Sequence, residues 1–204
     1  MMKHCGTVAI ETERLLLRRF RLKDAQAMFD NWASDPLVTR YMKRRTSARV
    51  VDVKKHLRSV CVAYRKKNCY NWCIVDRATD TPIGNIGVFE FFETLGSARV
   101  GYCLSRTYWG RGIMPEALRA VMQLMFEHVG VRRLECVHQI DNLQSGRVMS
   151  KCGMLQEGVL RKAYRNHCGE FFDVVQYAIL DTDYAALDHP TPARIVRTKK
   201  ARKS

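Results

Sequence analysis

The sequence predicts a single α/β domain with a mixed, mostly antiparallel central sheet flanked by helices. The chain has 204 residues, of which 47% are hydrophobic, so it can bury one substantial core without a second domain. Apolar runs typical of strands alternate along the chain with segments whose apolar residues recur at helical spacing. No internal repeat is present.

The first half of the chain predicts a strand, two helices and a hairpin. The strand is expected at residues 14–20, and a loop is expected around Asp35 and Pro36. Strands at 72–76 and 83–92 flank a turn sequence at 79–82, which is typical of an antiparallel hairpin. The two helices are indicated by apolar stripes at Ala25, Met28, Phe29 and Trp32 and at Val50, Val53, Leu57, Cys61 and Tyr64.

The second half predicts two strand-helix units and a terminal strand. A strand at 98–104 precedes a helix that ends at Gly130, and a strand at 134–138 precedes a short helix that begins after Asn142 and ends at Gly153. The terminal strand is expected at 174–179. The helices again show apolar residues at helical spacing.

Residues 108–116, Tyr-Trp-Gly-Arg-Gly-Ile-Met-Pro-Glu, join the first of these strands to its helix. Glycine lets backbone N–H groups approach an anion closely, and proline suits a first helical turn. The N–H groups of Arg111, Gly112, Ile113 and Met114 would then point outward at a helix N-terminus, where the peptide dipoles favour negative charge. The spacing differs from that of a Walker loop or a dinucleotide-binding loop, and a plain turn is the alternative. The strand and helix on either side favour an anion-binding site for phosphate, called the anion seat below.

Several motifs in the same order resemble those of one protein family. They are Thr-Glu-Arg-Leu-Leu-Leu-Arg at 12–18, Tyr-Trp-Gly-Arg-Gly at 108–112 followed by Glu116 and Ala117, Asn142 with Ser145 and Gly153, Glu157 with Gly158, and the closing segment 169–177. This chain resembles the GNAT superfamily of acetyl-coenzyme A-dependent N-acetyltransferases, and more closely the branch with the ribosomal-protein N-terminal acetyltransferases. The resemblance implies a single GNAT domain at 10–187, with a V-shaped split in the sheet that holds acetyl-coenzyme A.

The resemblance also implies roles for individual residues. Trp109, Gly110 and the loop that follows would hold the coenzyme phosphates. A backbone N–H near Leu104 would donate a hydrogen bond to the acetyl oxygen. Asn142 would hold the pantetheine arm, although Asn142 could be only a helix cap. Ser145 would protonate the departing thiolate, and Tyr164 is the competing donor.

The general base is left open by the sequence. Members of the branch often have Glu two residues before the Gly-Tyr pair, where this chain has Arg99. A water chain without a dedicated base is one alternative. The candidate side chains are Glu90, Glu93, His138 and Asp173.

The formal charge of +15 predicts acidic partners. Six cations lie in the last fifteen residues, which leaves +9 for the remainder, and segment 188–204 is expected to be a disordered basic tail that could contact ribosomes or RNA.

The eight cysteines contain no Cys-x-x-Cys pair, so buried thiols are expected and no metal site. The sequence shows no signal core or apolar run long enough for a membrane span, and a cytoplasmic location is expected.

The predicted function is acetyl transfer from acetyl-coenzyme A to a primary amine, most simply an N-terminal α-amine of a protein or peptide. Acetylation of a small-molecule amine and a non-catalytic acyl-coenzyme A-binding module are the alternatives. The acceptor pocket is expected in the first two helices and in a loop at 161–169. The enzyme is expected to be a monomer or a homodimer.

Overall fold

A computed structural model of the chain describes residues 2–166, 168–188 and 193–196. Its strands are β1 (Ala9–Glu11), β2 (Leu15–Arg18), β3 (Tyr70–Asp76), β4 (Thr81–Phe92), β5 (Ser97–Leu104), β6 (Arg133–Gln139), β7 (Leu155–Arg165), β8 (Phe171–Leu180) and β9 (Arg194–Val196). Its helices are α1 (Ala25–Met28, continued by the π-helical Phe29–Ala33), α2 (Pro36–Thr39), α3 (Val50–Ala63), α4 (Ile113–Gln123, continued by the π-helical Leu124–Val129), α5 (Leu143–Lys151) and α6 (Asp181–Ala185).

The strands form one sheet in the order β7-β8-β6-β5-β4-β3-β2-β1-β9. Only β5 and β6 pair in parallel, and every other neighbouring pair in this sheet is antiparallel. The sheet is therefore mixed and mostly antiparallel, which confirms the predicted class.

The parallel pair separates after four residues. Residues 97–100 of β5 pair with 133–136 of β6, but β5 continues to Leu104 and β6 to Gln139 without further pairing to each other. On its other side, β5 pairs with β4, which has a bulge at Phe89. The Phe89 ring packs on Gly101 so closely that a Cβ on residue 101 would lie 3.0 Å from the ring. A bulge bends its strand and increases the local twist. The V-shaped split that the resemblance implied is confirmed.

The two faces of the sheet carry separate cores. The larger core lies beneath α4, α5 and α6 and includes Leu118, Met149 and Tyr184. The smaller core lies beneath α1, α2 and α3 and is centred on Trp32 and Leu57. The split in the sheet therefore opens between two layers of helices.

The structure differs from the sequence-based expectation at two interior segments. Residues near Asp35 and Pro36 form the helix α2 instead of a loop, because the Asp35 carboxylate accepts the N–H of Leu37 at 2.9 Å and caps the helix. The expected loop at 161–169 is wrong in its first half, because β7 runs to Arg165. β7 is an edge strand with mostly exposed side chains, so it has no apolar alternation to reveal it.

The basic segment 188–204 also differs in part from its expectation. Arg194–Val196 form the edge strand β9, which pairs with β1 and is therefore not disordered. Residues 189–192 and 197–204 lie outside the described residues. Within the described ranges, no helix is long and apolar enough to cross a membrane, and no cluster of three or more His, Cys, Asp or Glu side chains could hold a metal ion.

Candidate active site

A cleft of about 1090 Å³ follows the split and continues onto the face covered by α1, α2 and α3. It gathers residues that are far apart in the chain. Those predicted as site residues and found in its lining are Leu104, Trp109, Gly110, Gly112, Ile113, Met114, Asn142, Ser145 and Tyr164. Arg111 is not among the lining residues; its guanidinium lies over the Tyr108 ring at 5.4 Å.

The glycine loop has the geometry of an anion seat. Gly110 and Gly112 adopt φ of +75° and +74°, a left-handed region that favours glycine, and Gly112 is the N-cap of α4. The backbone N–H groups of residues 110–114 have no hydrogen-bond partner among the described residues. Five successive free donors at the start of a helix suit phosphate oxygens.

The loop is held by the first strand hairpin. Arg14 Nε donates to Glu116 Oε2 at 2.7 Å, and Thr12 Oγ1 donates to Glu116 Oε1 at 2.5 Å. Arg14 also donates through Nη1 to the Arg111 carbonyl at 2.9 Å. Two motifs about a hundred residues apart thus form one hydrogen-bonded unit, and the Arg111 carbonyl is turned away from the anion seat.

Two backbone donors of β5 point across the split. Ser105 N–H bonds to the Ile83 carbonyl of β4 at 2.7 Å, and successive strand residues direct their N–H groups to opposite sides. The N–H groups of Leu104 and Tyr102 therefore point away from β4, toward the side where β6 has separated. The Leu104 carbonyl accepts Trp109 Nε1 at 2.9 Å, which fixes the end of the strand.

Asn142 occupies the N-cap position of α5 but does not use its side chain as a cap. Its own N–H donates to the Gln139 carbonyl at 2.8 Å, and its carbonyl accepts the Ser145 N–H at 3.0 Å. The interpretation of Asn142 as only a helix cap is therefore wrong. Its amide lines the cleft, where it can serve a ligand.

Ser145 is paired with Tyr102 across the split. Ser145 Oγ donates to the Tyr102 hydroxyl at 3.3 Å, and that hydroxyl donates to the Ser145 carbonyl at 3.0 Å. Burial raises the pKa of Tyr102 well above its ordinary value, so the phenol stays protonated. Tyr102 was not predicted as a site residue, although the alternation of β5, which places residues 100, 102 and 104 on one face, was an available signal.

His138 packs beneath α5 and is also among the residues that line the cleft. Its Nδ1 lies 2.8 Å from the Gln139 carbonyl, and its ring contacts Tyr177. A Cβ on Gly146 would lie 2.7 Å from His138 Nε2, so glycine lets the helix approach the ring closely. His138 thus supports the position of α5.

Tyr164 lies at the opposite wall of the cleft. Its hydroxyl donates to the Tyr41 carbonyl at 3.4 Å, and Lys43 Nζ lies 5.4 Å from the centre of its ring. Burial raises the pKa of Tyr164, which favours the neutral phenol. Tyr164 therefore faces the segment after α2 more closely than it faces α5.

The structure separates the four candidates for the general base. Glu93 bonds to His4 at 2.8 Å, Asp173 accepts the Lys162 N–H at 2.8 Å, and neither lines the cleft. Glu90 lines the cleft, where Arg99 Nη1 holds one of its oxygens at 2.5 Å. Glu90 is therefore the candidate carboxylate that the cleft contains.

The site combines an anion seat, a split sheet with free backbone donors, and a pocket on the opposite face. This arrangement defines a transferase that brings a phosphate-bearing donor and a second substrate together through the sheet. Comparison with known proteins gives the family.

The sequence profile of the acetyltransferase (GNAT) domain matches residues 14–155. An uncharacterized N-acetyltransferase p20 of Bacillus licheniformis is 29% identical over 174 residues, which cover 85% of this chain and 97% of that protein. The ribosomal-protein-serine acetyltransferase of Escherichia coli is 35% identical over 81 residues, covering 38% of this chain and 45% of that protein. The crystal structure of a GNAT-family acetyltransferase from Bacillus anthracis has a TM-score of 0.74 at 26% identity and covers 85% of this chain and 99% of that one.

The chain belongs to the GNAT family of acetyltransferases. It is an N-acetyltransferase, and acetyl-coenzyme A is its acetyl donor. The residues present fit this donor: the free N–H groups of the glycine loop suit its phosphates, and Arg147 and Lys151 in the cleft lining add positive charge.

The loop geometry predicts that Gly112→Glu abolishes acetyl-coenzyme A binding. The variant forces a side chain into a φ of +74° and places negative charge beside the free N–H groups. We expect a loss of affinity of about 100-fold or more by calorimetry, equivalent to about 3 kcal/mol.

Gly130→Glu is the matched control. Gly130 also has a positive φ, +78°, but it ends the helix away from the cleft, so the variant should cost stability and leave affinity unchanged. Normal binding by Gly112→Glu would show that the loop is not the anion seat.

Proposed function

We propose that the enzyme acetylates the N-terminal α-amine of a protein or peptide. The supporting observation is the continuity of the cleft, which leads from the anion seat through the split to the α1–α3 face. A second substrate can therefore reach the thioester from the side opposite to the phosphates. In addition, one relative is a ribosomal-protein-serine acetyltransferase.

The reaction proposed is direct transfer. The neutral amine attacks the thioester carbonyl, a C–N bond forms and the C–S bond breaks, and negative charge develops on the carbonyl oxygen before the thiolate leaves. The N–H groups of Leu104 and Tyr102 are the proposed donors to that oxygen, because they are the β5 donors that face the split.

We assign the acid role to Ser145, with Tyr102 as its partner. The Ser145 hydroxyl would protonate the thiolate and take up the proton that the attacking nitrogen loses as the amide forms. The Tyr102 phenol, which accepts from Ser145 Oγ at 3.3 Å, would hold that hydroxyl in place. Tyr164 is the second candidate, since it also lines the cleft with a protonated hydroxyl.

Glu90 is the proposed proton acceptor. Arg99 stands where the related enzymes often have Glu. Its register partner on the neighbouring strand β4 is Glu90, so the Glu90 carboxylate lies beside the position of the missing Glu. The Glu90 carboxylate can accept a proton from the incoming ammonium directly or through water. The substitution at Arg99 thus gives less reason to favour a non-catalytic binding module.

The acceptor could instead be a small-molecule amine. This alternative is favoured by the enclosed part of the pocket, where Phe20, Met28 and Trp32 supply apolar walls.

The basic C-terminal segment is proposed to guide the enzyme to ribosomes or RNA through its charge. A cytoplasmic location is proposed because all eight cysteines are free.

The acceptor class can be tested by measuring free thiol during incubation with acetyl-coenzyme A. Peptides with a free N-terminus, the same peptides with a blocked N-terminus but an internal lysine, and small amines form the panel. We expect kcat/KM for free N-termini to exceed that for the other two classes by at least tenfold. Preference for a small amine would replace the peptide proposal with its alternative.

The acid can be tested with Ser145→Ala and its matched variant Tyr164→Phe. If Ser145 protonates the thiolate, Ser145→Ala should lower kcat about 10²–10⁴-fold while acetyl-coenzyme A affinity changes little. Tyr164→Phe should keep kcat within about threefold, because the ring is retained and only its hydroxyl is lost. The reverse pattern would assign the acid to Tyr164.

A further inference from the structure

Four buried side-chain atoms have no hydrogen-bond partner among the described residues: Trp32 Nε1, Arg44 Nη1, Asn71 Oδ1 and Arg99 Nε. All four residues line the same cleft. Leaving a buried polar atom unpaired is costly, so folded proteins leave few of them. Their concentration in one cleft indicates that a ligand supplies the missing partners.

Trp32 and Arg44 are brought together by one loop. Ser47 N–H donates to the carbonyl of Ala33, the residue after Trp32, at 2.7 Å, and Arg44 Nη2 donates to Ser47 Oγ at 2.9 Å. This leaves Arg44 Nη1 as a free donor beside the turn that carries Trp32. Trp32 lines the cleft although the residue is 1% exposed, so its indole N–H needs a partner that the described residues do not supply.

The same loop lacks negative charge. Arg40, Lys43, Arg44 and Arg45 all line the cleft, and none of them forms an ion pair with any described residue. Asp52 has an electrostatic effect on Arg44 but forms its ion pair with Arg49, at 3.5 Å. The acidic residues of the lining are Glu90, which Arg99 holds, and Asp141.

Asn71 lies on the same sheet face as this pair. Its register partner is Gly87, and its neighbour two residues along β3 is Cys73 of the core beneath α1, α2 and α3. The free Asn71 Oδ1 is an acceptor and calls for a donor on the ligand. Arg99 is different, because Glu90 and Glu135 already balance its charge.

We propose that the acceptor is an amine that carries a carboxylate, that Arg44 and Trp32 bind the carboxylate oxygens, and that Asn71 accepts an N–H or O–H of the same molecule. This inference rests on the proposed function and narrows it to acidic acceptors. An arginine and an indole N–H in an enclosed pocket suit an oxygen anion, because charge-assisted hydrogen bonds are stronger than neutral ones. The carboxylate can belong to an acidic residue of a peptide or to a small amino acid.

The test uses two pairs of probes that differ in the carboxylate. The peptide pair is the amidated tripeptides Ser-Asp-Glu and Ser-Asn-Gln, and the small pair is serine and serinamide. Dissociation constants are measured by calorimetry on the full chain with saturating coenzyme A, so that the readout does not need turnover. Acetyl-coenzyme A affinity is measured on every variant as a check of the fold.

In at least one pair, the probe with the carboxylate should bind at least tenfold more tightly than its carboxamide counterpart, and the responding pair identifies the source of the carboxylate. Arg44→Gln should reduce this preference to less than threefold, and Trp32→Phe, which keeps an aromatic ring, should weaken it in part. Lys54→Gln, an exposed cation of α3 outside the cleft lining, should leave it unchanged.

Equal binding of the members of both pairs, an absence of binding in both, or a preference that survives Arg44→Gln would overturn the inference. Free-thiol release separates this failure from that of the proposed function. If neutral peptides are acetylated as well as acidic ones, the N-terminal acetyltransferase proposal stands and the acidic acceptor does not. If no peptide is acetylated and serine still binds through Arg44, the peptide proposal fails alone.

Discussion

The early separation of β5 from β6 is the constraint on which the rest of the site depends. Backbone N–H groups in a sheet ordinarily pair with a neighbouring strand, and burying them without a partner is costly. Parallel pairing here stops at Val100 and Cys136, so the next outward-facing donors of β5 have no strand to meet. A substrate that fills the gap can complete the sheet, and a carbonyl oxygen placed there meets preorganised donors.

The separation is held open from several directions. The bulge at Phe89 twists β4 and β5, and Trp109 fixes the end of β5 through the Leu104 carbonyl. On the coenzyme side, Glu116 joins the start of α4 to Arg14 and Thr12 of the first hairpin. The two helix layers then cover the gap from opposite faces, so in the proposed function the donor and the acceptor would approach each other through the sheet and need not share one surface.

The sequence allowed the interior of the fold to be predicted because buried elements carry periodic apolar residues. The stripes of α1 and α3 and the runs of β3 to β6 are of this kind. β7 is an edge strand with mostly exposed side chains, β9 is an edge strand of only three residues, and α2 depends on one capping carboxylate, so their patterns are weak. Glycine spacing pointed to the loop at 110–114, whose N–H groups have no partner among the described residues, but the partners of Tyr102, Glu90 and Arg44 arise from contacts between strands or loops that no local pattern specifies.

The most direct test of this account is the chemical shift of individual backbone amides during titration with coenzyme A and, separately, with acetyl-coenzyme A. Both ligands should shift the amides of residues 110–114, because both carry the phosphates. Only acetyl-coenzyme A should shift the amides of Tyr102 and Leu104, because only it brings a thioester oxygen into the split. Equal shifts of Tyr102 and Leu104 with both ligands, or none with either, would contradict the claim that the separated strand provides the donors for the acetyl group.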